Sequence, residues 1–312
     1  MTATRVRIAT RTSPLAQRQA ESVAERLEAL HPGIETELVG IRSEGDRVLD
    51  RPLAAIGGKG LFVKALEDAL LDDRADIAVH SMKDVPADTE APAGLHLPVI
   101  VARESPYDAF LSQRYDDPRA LPEGAVLGTS SPRRMSQLLH YLPGCAVRDL
   151  RGNVNTRLAR LEAGDYDAIV LAVAGLERLG MGECITAPLD PALCLPAIGQ
   201  GALGIECRAG DAAIEPLIAP LSDAATSDCV HAERAVSRAL GGSCLSPIAA
   251  HGQIKGDGRL HLAARVGAPD GSRLVGGEIE GVRDDPEALG FELGRRLQAD
   301  GADELLRMAV SA

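Results

Sequence analysis

The chain has no tryptophan, and aromatic residues make up only 2% of its 312 positions. Surfaces that bind single-stranded nucleic acid stack the bases on aromatic side chains, so such a surface is not expected here. Basic residues are also in deficit, because 33 lysines and arginines face 45 aspartates and glutamates, for a formal net charge of −12. Since nucleic-acid binding needs a basic surface, both absences argue against a nucleic-acid partner.

Long apolar runs are missing as well. The richest stretch, residues 168–176, has the length of a strand and falls well short of the roughly 20 apolar residues of a membrane span. The first residues carry no apolar signal core, so we expect no membrane association and a cytoplasmic location. No Cys-x-x-Cys spacing occurs, which predicts reduced thiols, most of them in the core, and no metal site. The cysteines are at positions 145, 184, 194, 207, 229 and 244.

What remains is the composition of an ordinary folded protein, with 45% hydrophobic and 25% charged residues. At about 150 residues per domain, the length predicts two or three domains.

One segment has a net charge opposite in sign to that of the whole chain. Between Thr129 and Arg160 the single acid is Asp149, whereas six arginines occur, at positions 133, 134, 148, 151, 157 and 160. A basic pocket in an acidic protein attracts small anions.

Residues 125–139 are typical of a short strand, a capping turn and a helix. Ser131 is a good N-cap, and Pro132 suits the first helical position. Arg133 and Arg134 then fall in the first turn, where the helix dipole makes each cation cost roughly 0.3–1 kcal/mol. We expect an anion to offset this cost. The pair either binds a carboxylate or phosphate ligand or lies solvated on a surface turn.

The same plan occurs near the start of the chain. A short strand, Val6–Ala9, precedes the cap Ser13, with Arg11 beside it. A second echo pairs Asp76–Val79 with Asp167–Val170, two apolar strands that each follow an acidic turn. Two α/β units of similar plan, each with a helix start suited to anions, predict two lobes with a ligand cleft between them.

Strand and helix patterns alternate over the first two thirds of the chain, which predicts mostly parallel sheets. The predicted strands are 5–9, 35–41, 76–80, 125–128, 145–149 and 167–173, and the predicted helices are 14–30, 60–72, 132–141 and 153–163. From about residue 220 follow a helix (224–240), three strands joined by short turns (248–254, 259–266 and 273–280) and a helical region (286–310). Short turns between consecutive strands predict an antiparallel sheet, and hence a separate α+β domain.

Two glycine-containing connections are candidates for ligand contact. In residues 56–62, Lys59 lies in a glycine-rich turn that could approach an anion, although the Walker spacing is missing. A flexible turn before a helix is an equally good interpretation. In residues 197–202, Gln200 lies between two glycines, in a connection that suits a hinge or a wall of the cleft.

Residues 76–86 are predicted to begin as a buried strand that then abruptly exposes His80, Ser81, Lys83 and Asp84. A carboxylate at the end of a strand, beside a lysine, suits acid/base work or the stabilisation of a developing cation. The alternative is a strand-end turn with a surface ion pair. A single histidine is more often packed than catalytic, so we interpret His80 as structural. Cys244 lies in a loop of small residues, where a thiol can be accessible and nucleophilic or simply unreactive.

Together, four segments resemble the porphobilinogen deaminase (hydroxymethylbilane synthase) family: His80–Pro86, Gly128–Arg134, Arg151–Arg157 and the loop around Cys244. The resemblance runs in order along nearly the whole chain. It implies an α/β fold with two periplasmic-binding-protein-like (type II) lobes of mixed, mostly parallel sheets around a cleft. A small α+β C-terminal domain with a three-stranded antiparallel sheet completes it. The implied boundaries are 1–102 with 199–219 for lobe 1, 103–198 for lobe 2 and 220–312 for the third domain.

The resemblance also implies a reaction. The family condenses four porphobilinogen molecules head to tail, with loss of ammonia, onto a covalent dipyrromethane cofactor and releases hydroxymethylbilane by hydrolysis. By motif, Cys244 would carry the cofactor through a thioether, and Asp84 would stabilise the cationic azafulvene and assist proton transfer. The cofactor would be held by Lys83, Thr129, Ser131, Arg133, Arg134 and Arg151, and the substrate by Arg11, Ser13, Lys59, Arg157, Arg178 and Gln200. The family suggests a monomer.

Two positions depart from the family pattern. Ala55 stands where the family commonly has a lysine, so one cation is absent or compensated. Ser243 precedes Cys244 where the family often has glycine, and a positive φ there would strain a serine.

Two other functions fit part of the pattern. A non-catalytic two-lobed receptor for a small carboxylate or oxyanion fits the lobes, but not a third domain with an accessible thiol. A thiol enzyme that pairs Cys244 with His231 or His251 has no supporting spacing.

Overall fold

The computed structural model describes residues 4–42, 63–88, 91–243 and 245–311. Its strands are β1 (Thr4–Arg11), β2 (Ile34–Ile41), β3 (Ile77–Ser81), β4 (Leu95–Ile100), β5 (Asp108–Leu111), β6 (Val126–Gly128), β7 (Ala146–Arg148), β8 (Ala168–Ala172), β9 (Ala187–Pro188), β10 (Leu203–Arg208), β11 (Ile248–Ile254), β12 (Leu260–Gly267) and β13 (Leu274–Gly281). Its helices are α1 (Pro14–Leu30), α2 (Lys64–Leu71), α3 (Pro132–Tyr141), α4 (Val154–Glu162), α5 (Val173–Arg178), α6 (Glu215–Ile218), α7 (Ala224–Ala239), α8 (Pro286–Ala299) and α9 (Ala302–Ser311). Within these ranges, no helix is long and apolar enough to cross a membrane.

The chain divides into two compact units. The first comprises Met1–Arg103 and Ala202–Ser227, and the second comprises Glu104–Gly201 and Asp228–Ala312. The second unit holds two sheets, one of five strands and one of three. The division of the chain into three domains, with residues 220–312 as a separate body, therefore stays a prediction.

The first unit is built on a five-stranded sheet in the order β2-β1-β3-β10-β4. β1 pairs in parallel with β2 and β3, whereas β10 runs antiparallel to both of its neighbours. Helix α1 covers one face, where Val23 and Leu27 pack on Ile8 and Ile205. The helix begins as predicted, because the Ser13 hydroxyl accepts a hydrogen bond from the Ala16 N–H at 3.3 Å.

The second unit repeats this plan in the order β7-β6-β8-β5-β9, with β5 as the antiparallel strand. The predicted cap at Ser131 is also confirmed, since its hydroxyl accepts from the Arg134 N–H at 3.4 Å and α3 spans residues 132–141. The echo between Asp76 and Asp167 has a structural basis. Each carboxylate accepts a hydrogen bond from a backbone N–H of the adjacent parallel strand. Asp76 accepts from Arg7 of β1 at 2.7 Å, and Asp167 accepts from Val126 of β6 at 2.8 Å.

The three-stranded sheet, β11-β12-β13, is antiparallel throughout, as its short turns predicted. Helices α7, α8 and α9 supply the apolar residues that pack on it, among them Val236, Leu293 and Leu305. The predicted helical region 286–310 is two helices rather than one. The break falls at Gly301, whose φ of +99° is the left-handed conformation that ends helices.

Two mixed, mostly parallel sheets and one antiparallel sheet confirm the predicted α/β fold class. The pattern missed β4, β5, β9, β10 and the short helices α5 and α6. β5 and β10 are the antiparallel strands, which are added to each sheet out of sequence order, so no neighbouring helix announces them. The predicted helix 60–72 is observed from Lys64, and residues 60–62 lie outside the described part of the chain.

Candidate active site

In the first unit, the buried strand β3 delivers Lys83 and Asp84 to the surface. The strand passes into a single 3-10 turn, Met82–Asp84. Met82 anchors this turn, because its side chain is buried and its N–H donates to the Ala202 carbonyl at 3.0 Å. Lys83 is then half-buried and Asp84 is exposed. The carboxylate predicted to be catalytic therefore faces solvent, on a turn whose first residue is buried.

The packing beneath this turn requires glycine at position 204 of β10. A Cβ there would lie 2.4 Å from the Met82 sulfur and 2.9 Å from Leu97. Gly204 therefore leaves the space that Met82 fills, and Met82 in turn holds Lys83 and Asp84 in place.

His80 is buried inside the sheet, so its predicted exposure is wrong, whereas its interpretation as a packed histidine agrees with the structure. Its Nε2 atom lies 2.9 Å from the Glu206 carboxylate, and both side chains are 4% exposed. The imidazole is thus occupied by an internal partner and does not face solvent with Asp84.

Arg11 and Ser13 lie at the junction of β1 and α1. Both are half-buried. The Ser13 hydroxyl oxygen accepts from the helix N–H, which still leaves the hydroxyl proton to donate to a ligand. Capping the helix and binding an anion are therefore compatible roles for Ser13.

In the second unit, the anion that offsets Arg133 and Arg134 is the protein's own Asp108. This fully buried carboxylate lies 2.8 Å from Nη2 of Arg133 and 2.7 Å from Nη2 of Arg134. Arg133 also donates to the Leu195 carbonyl, and Arg134 to the Val170 carbonyl. The side chains of Arg133 and Arg134 are 5% and 8% exposed, so the solvated surface pair is excluded.

Gln200 belongs to the same buried cluster. Its side-chain amide donates to Asp108 at 3.0 Å and to the Pro106 carbonyl at 2.6 Å. Burial alone would raise the pKa of Asp108, but the charges of Arg133 and Arg134 outweigh it and hold that pKa far below its usual range. Cys194 is the fifth member; burial and the Asp108 charge raise the pKa of its thiol to about 12.

The sequence reasoning missed Asp108 as the partner of this pair. The available signal was the charge imbalance of residues 129–160, whose six arginines and single acid require carboxylates from elsewhere in the chain. The sequence does not show which carboxylate, because Asp108 opens β5, a strand that the pattern also missed.

The other predicted cations of this unit differ in their exposure. Arg151 pairs with Asp149, and Arg157 donates from Nε to the Gly152 carbonyl at 2.8 Å. Arg178 is mostly buried, 2.8 Å from both the Glu104 carboxylate and the Gly201 carbonyl. Thr129 is buried, and its hydroxyl accepts from the Ser131 N–H at 3.2 Å.

Cys244, Lys59 and Ala55 lie outside the described residues, so their predicted roles stay predictions. The neighbouring Ser243 does not carry the strain that its position suggested. Among the described residues, Asp73 is the one residue other than glycine with a positive φ. Ser243 instead forms part of a serine turn, with its N–H donating to the Ser246 hydroxyl at 3.0 Å.

The described geometry alone defines a mixed α/β protein whose two larger sheets share one strand plan. Over residues 6–216 the chain matches the family model described as "Porphobilinogen deaminase, dipyromethane cofactor binding domain", and over residues 227–299 it matches "Porphobilinogen deaminase, C-terminal domain". The chain belongs to the porphobilinogen deaminase family.

Curated relatives match along nearly the full length. The porphobilinogen deaminase of Stenotrophomonas maltophilia (strain K279a) is 55% identical over 303 residues, which cover 97% of this chain and 99% of the relative. The porphobilinogen deaminase of Bordetella parapertussis is 55% identical over 302 residues, 97% of this chain and 95% of the relative. Among solved structures, the methionine-binding protein MetQ is 12% identical and covers 70% of this chain and 89% of its own, with a TM-score of 0.43. A likeness this low carries no functional argument.

Proposed function

We propose that this chain is a transferase of tetrapyrrole biosynthesis. It condenses four porphobilinogen molecules head to tail, with release of ammonia, on a covalent dipyrromethane primer and releases hydroxymethylbilane by hydrolysis. The observation that carries the proposal is the family match, which includes a cofactor-binding domain and relatives 55% identical over 97% of the chain. The receptor interpretation is not favoured, since these relatives are named as deaminases.

The residues present suit an oligomer that carries carboxylates. Half-buried Arg11, Arg151 and Arg157 are guanidinium groups within reach of solvent, and a guanidinium fork matches a carboxylate in geometry and charge. When bound, the cofactor supplies the nucleophilic pyrrole carbon to which the first substrate is joined. Cys244 would attach it, and Lys83, Thr129, Ser131 and Arg151 would hold its carboxylates.

Arg133 and Arg134 need a more specific proposal, because both guanidinium groups already bind Asp108. We propose that Asp108 fixes them at the start of α3, so that any ligand carboxylate meets guanidinium groups whose position is set beforehand. Preorganised donors cost no rearrangement when a charged group binds. We propose that Gln200 supports this arrangement indirectly, because its side-chain amide donates to Asp108 and so orients the carboxylate that holds the two arginines.

Asp84 is the proposed catalytic residue. Its carboxylate would stabilise the positive charge that develops on the substrate ring as ammonia leaves, and would accept or return a proton at the ring carbon. The turn Met82–Asp84 suits this role, because the buried Met82 fixes the backbone while Asp84 itself remains exposed. The remaining predicted site residues are proposed to bind the ligand or to support the residues that do; they are Lys83, Arg11, Ser13, Lys59, Arg157, Arg178 and Gln200.

The attachment of the cofactor is tested by intact-protein mass spectrometry. We expect a mass excess of two pyrrole units over the sequence, and its loss in Cys244→Ser. Cys184→Ser is the matched control, since Cys184 is an exposed free thiol and should leave the excess unchanged. Unmodified protein that still binds organic anions would favour the receptor instead.

The catalytic role is tested with Asp84→Asn. This variant should keep the mass excess but lose at least about 100-fold in turnover, the range expected for loss of an acid/base group. Near-normal turnover would remove Asp84 from the mechanism.

We also propose that the protein is a cytoplasmic monomer. Light scattering tests the oligomeric state, and cell fractionation tests the location. A dimer mass or an envelope location would contradict the proposal.

A further inference from the structure

A histidine, a cysteine and a glutamate converge in the first unit, away from Asp84. His96 of β4 and Cys207 of β10 are directly paired across the two antiparallel strands, so their side chains point to the same face. Glu215 is the first residue of α6. One ligand atom from each residue lies within 4.8 Å of the other two. A register shift between Ile205 and Cys207 accompanies this arrangement, as expected where a bulge redirects a side chain.

The contact between His96 and Glu215 is close, but it is not a hydrogen bond. Nε2 of His96 lies 3.0 Å from Oε1 of Glu215, yet this buried nitrogen has no hydrogen-bond partner. A buried nitrogen without a hydrogen bond costs free energy. A metal ion bound between the two atoms would give this nitrogen a partner.

The three residues also differ in exposure in a way that suits a metal site. Cys207 is fully buried among apolar side chains, whereas the side chains of His96 and Glu215 are 40% and 35% exposed. The cluster therefore lies close to the surface, with the imidazole and carboxylate on its outer side and the sulfur at its base. The Glu215 carboxylate is oriented by the Gly210 N–H, which donates to Oε1 at 2.8 Å.

We propose that His96, Cys207 and Glu215 bind one zinc-like divalent ion, with water as the remaining ligand. Nitrogen, sulfur and carboxylate oxygen are the ligands that Zn²⁺ takes in proteins, whereas Mg²⁺ and Ca²⁺ require oxygen. Asp211 is not counted as a ligand, because Arg208 pairs with it at 3.1 Å. The site is independent of the proposed function, and it differs from the expectation of no metal, which stays a prediction.

Binding would change the protonation of Cys207. Burial and nearby carboxylates raise the pKa of this thiol to about 11, so the metal-free protein holds the proton at neutral pH. The metal ligand is the thiolate, so the proton passes to solvent when the metal–sulfur bond forms. Binding should release about one proton per ion and tighten as the pH rises.

The test uses metal-free full-length protein and Co²⁺ alone, because a cobalt–thiolate bond gives a charge-transfer band in the near ultraviolet. We expect one ion per chain with this band, displaced by Zn²⁺. Cys207→Ala should abolish the band, and His96→Gln and Glu215→Gln should each weaken binding at least about tenfold. If Cys207→Ala fails to fold, the two half-exposed positions still decide the outcome.

Two matched variants separate this site from ordinary surface binding. His261→Gln removes the histidine of a second histidine–glutamate pair, in which Nε2 of His261 lies 3.2 Å from the Glu278 carboxylate. Cys184→Ser removes an exposed thiol. Neither should change the cobalt band. The proposal is overturned if the band is absent from the unaltered protein, if it disappears in Cys184→Ser, or if His96→Gln binds cobalt as tightly as before. The cofactor mass excess reports on the proposed function separately.

Discussion

The two five-stranded sheets follow one strand plan but bury different charges on their antiparallel strands. In the first unit, Glu206 of β10 faces His80. In the second, Asp108 of β5 faces Arg133 and Arg134. The same place in the topology thus holds one carboxylate with one imidazole in one sheet, and one carboxylate with two guanidinium groups in the other.

The difference lies in whether the partner can give up its charge. The histidine side chain has an uncharged form that is common at neutral pH, so we expect the first sheet to tolerate the loss of Glu206. Arginine stays charged in proteins, so the second sheet cannot discharge Arg133 and Arg134. We therefore expect the stability of the second unit to depend on Asp108 more than that of the first unit depends on Glu206.

The sharpest test of this comparison is Asp108→Asn. It leaves two buried guanidinium groups without a counter-charge, which should lower the free energy of unfolding by about 3–5 kcal/mol. Urea unfolding followed by far-ultraviolet circular dichroism measures this, since the chain has no tryptophan for fluorescence. Asp117→Asn, at an exposed acid in the same unit, is the control and should have little effect. A loss below about 1 kcal/mol for Asp108→Asn would refute the dependence on this carboxylate.

The next test compares the equivalent carboxylates Asp76 and Asp167. Asp76 bonds the Arg7 N–H and guanidinium and also Arg208, so Asp76→Ala should cost about 2–3 kcal/mol. Asp167→Ala should cost about 1 kcal/mol, because its ion-pair partner Arg114 is largely exposed. Equal costs would show that the shared backbone hydrogen bond, and not the ion pairs, supplies the stabilisation.

The Asp76 contribution should also depend on pH. Burial raises the pKa of Asp76, but hydrogen bonds and charge from Arg7 outweigh burial and hold it below its usual value. A pKa lowered by folding gives stabilisation that is complete above the unfolded value of about 3.9 and is lost as the pH falls through the folded value. The difference between the unaltered protein and Asp76→Ala should therefore shrink below about pH 4.

A smaller effect is expected from Glu206→Gln. The amide can still form a hydrogen bond with His80, and no buried guanidinium group loses its counter-charge, so the cost should be about 1–2 kcal/mol. The same urea experiment gives the value. A loss as large as that of Asp108→Asn would remove the distinction between the two sheets.

Local signals predicted the parts of the fold that local interactions determine. Ser13 and Ser131 cap their own helices, so the serine-proline pairs located α1 and α3 to the residue. The strands β5 and β10 were missed because their partners lie far away in sequence, and an antiparallel strand inserted beside β8 or β3 leaves no local pattern.

The candidate site divides in the same way. The turn that exposes Asp84 follows from a strand ending beside polar residues, and its exposure was predicted. The burial of Arg133 and Arg134 was not predicted, because the adjacent residues do not show a carboxylate that lies 25 and 26 positions earlier in the chain. The pairing of His96 with Cys207 was missed for the same reason, since it depends on strand register.

The finest comparison between the units uses their two helix caps. Ser13→Ala and Ser131→Ala each remove one hydrogen bond to a helix N–H, of 3.3 and 3.4 Å, so each should cost about 1 kcal/mol. Replacement by threonine, which also caps, should restore most of this stability. Steady-state kinetics then separates capping from ligand binding. If one of the hydroxyl groups also binds a carboxylate of the ligand, its alanine variant should raise KM under conditions in which the variant remains folded. The threonine variant should restore KM. Alanine variants that lose stability but keep their KM would restrict both serines to capping, and a change at one serine alone would assign the ligand contact to that unit.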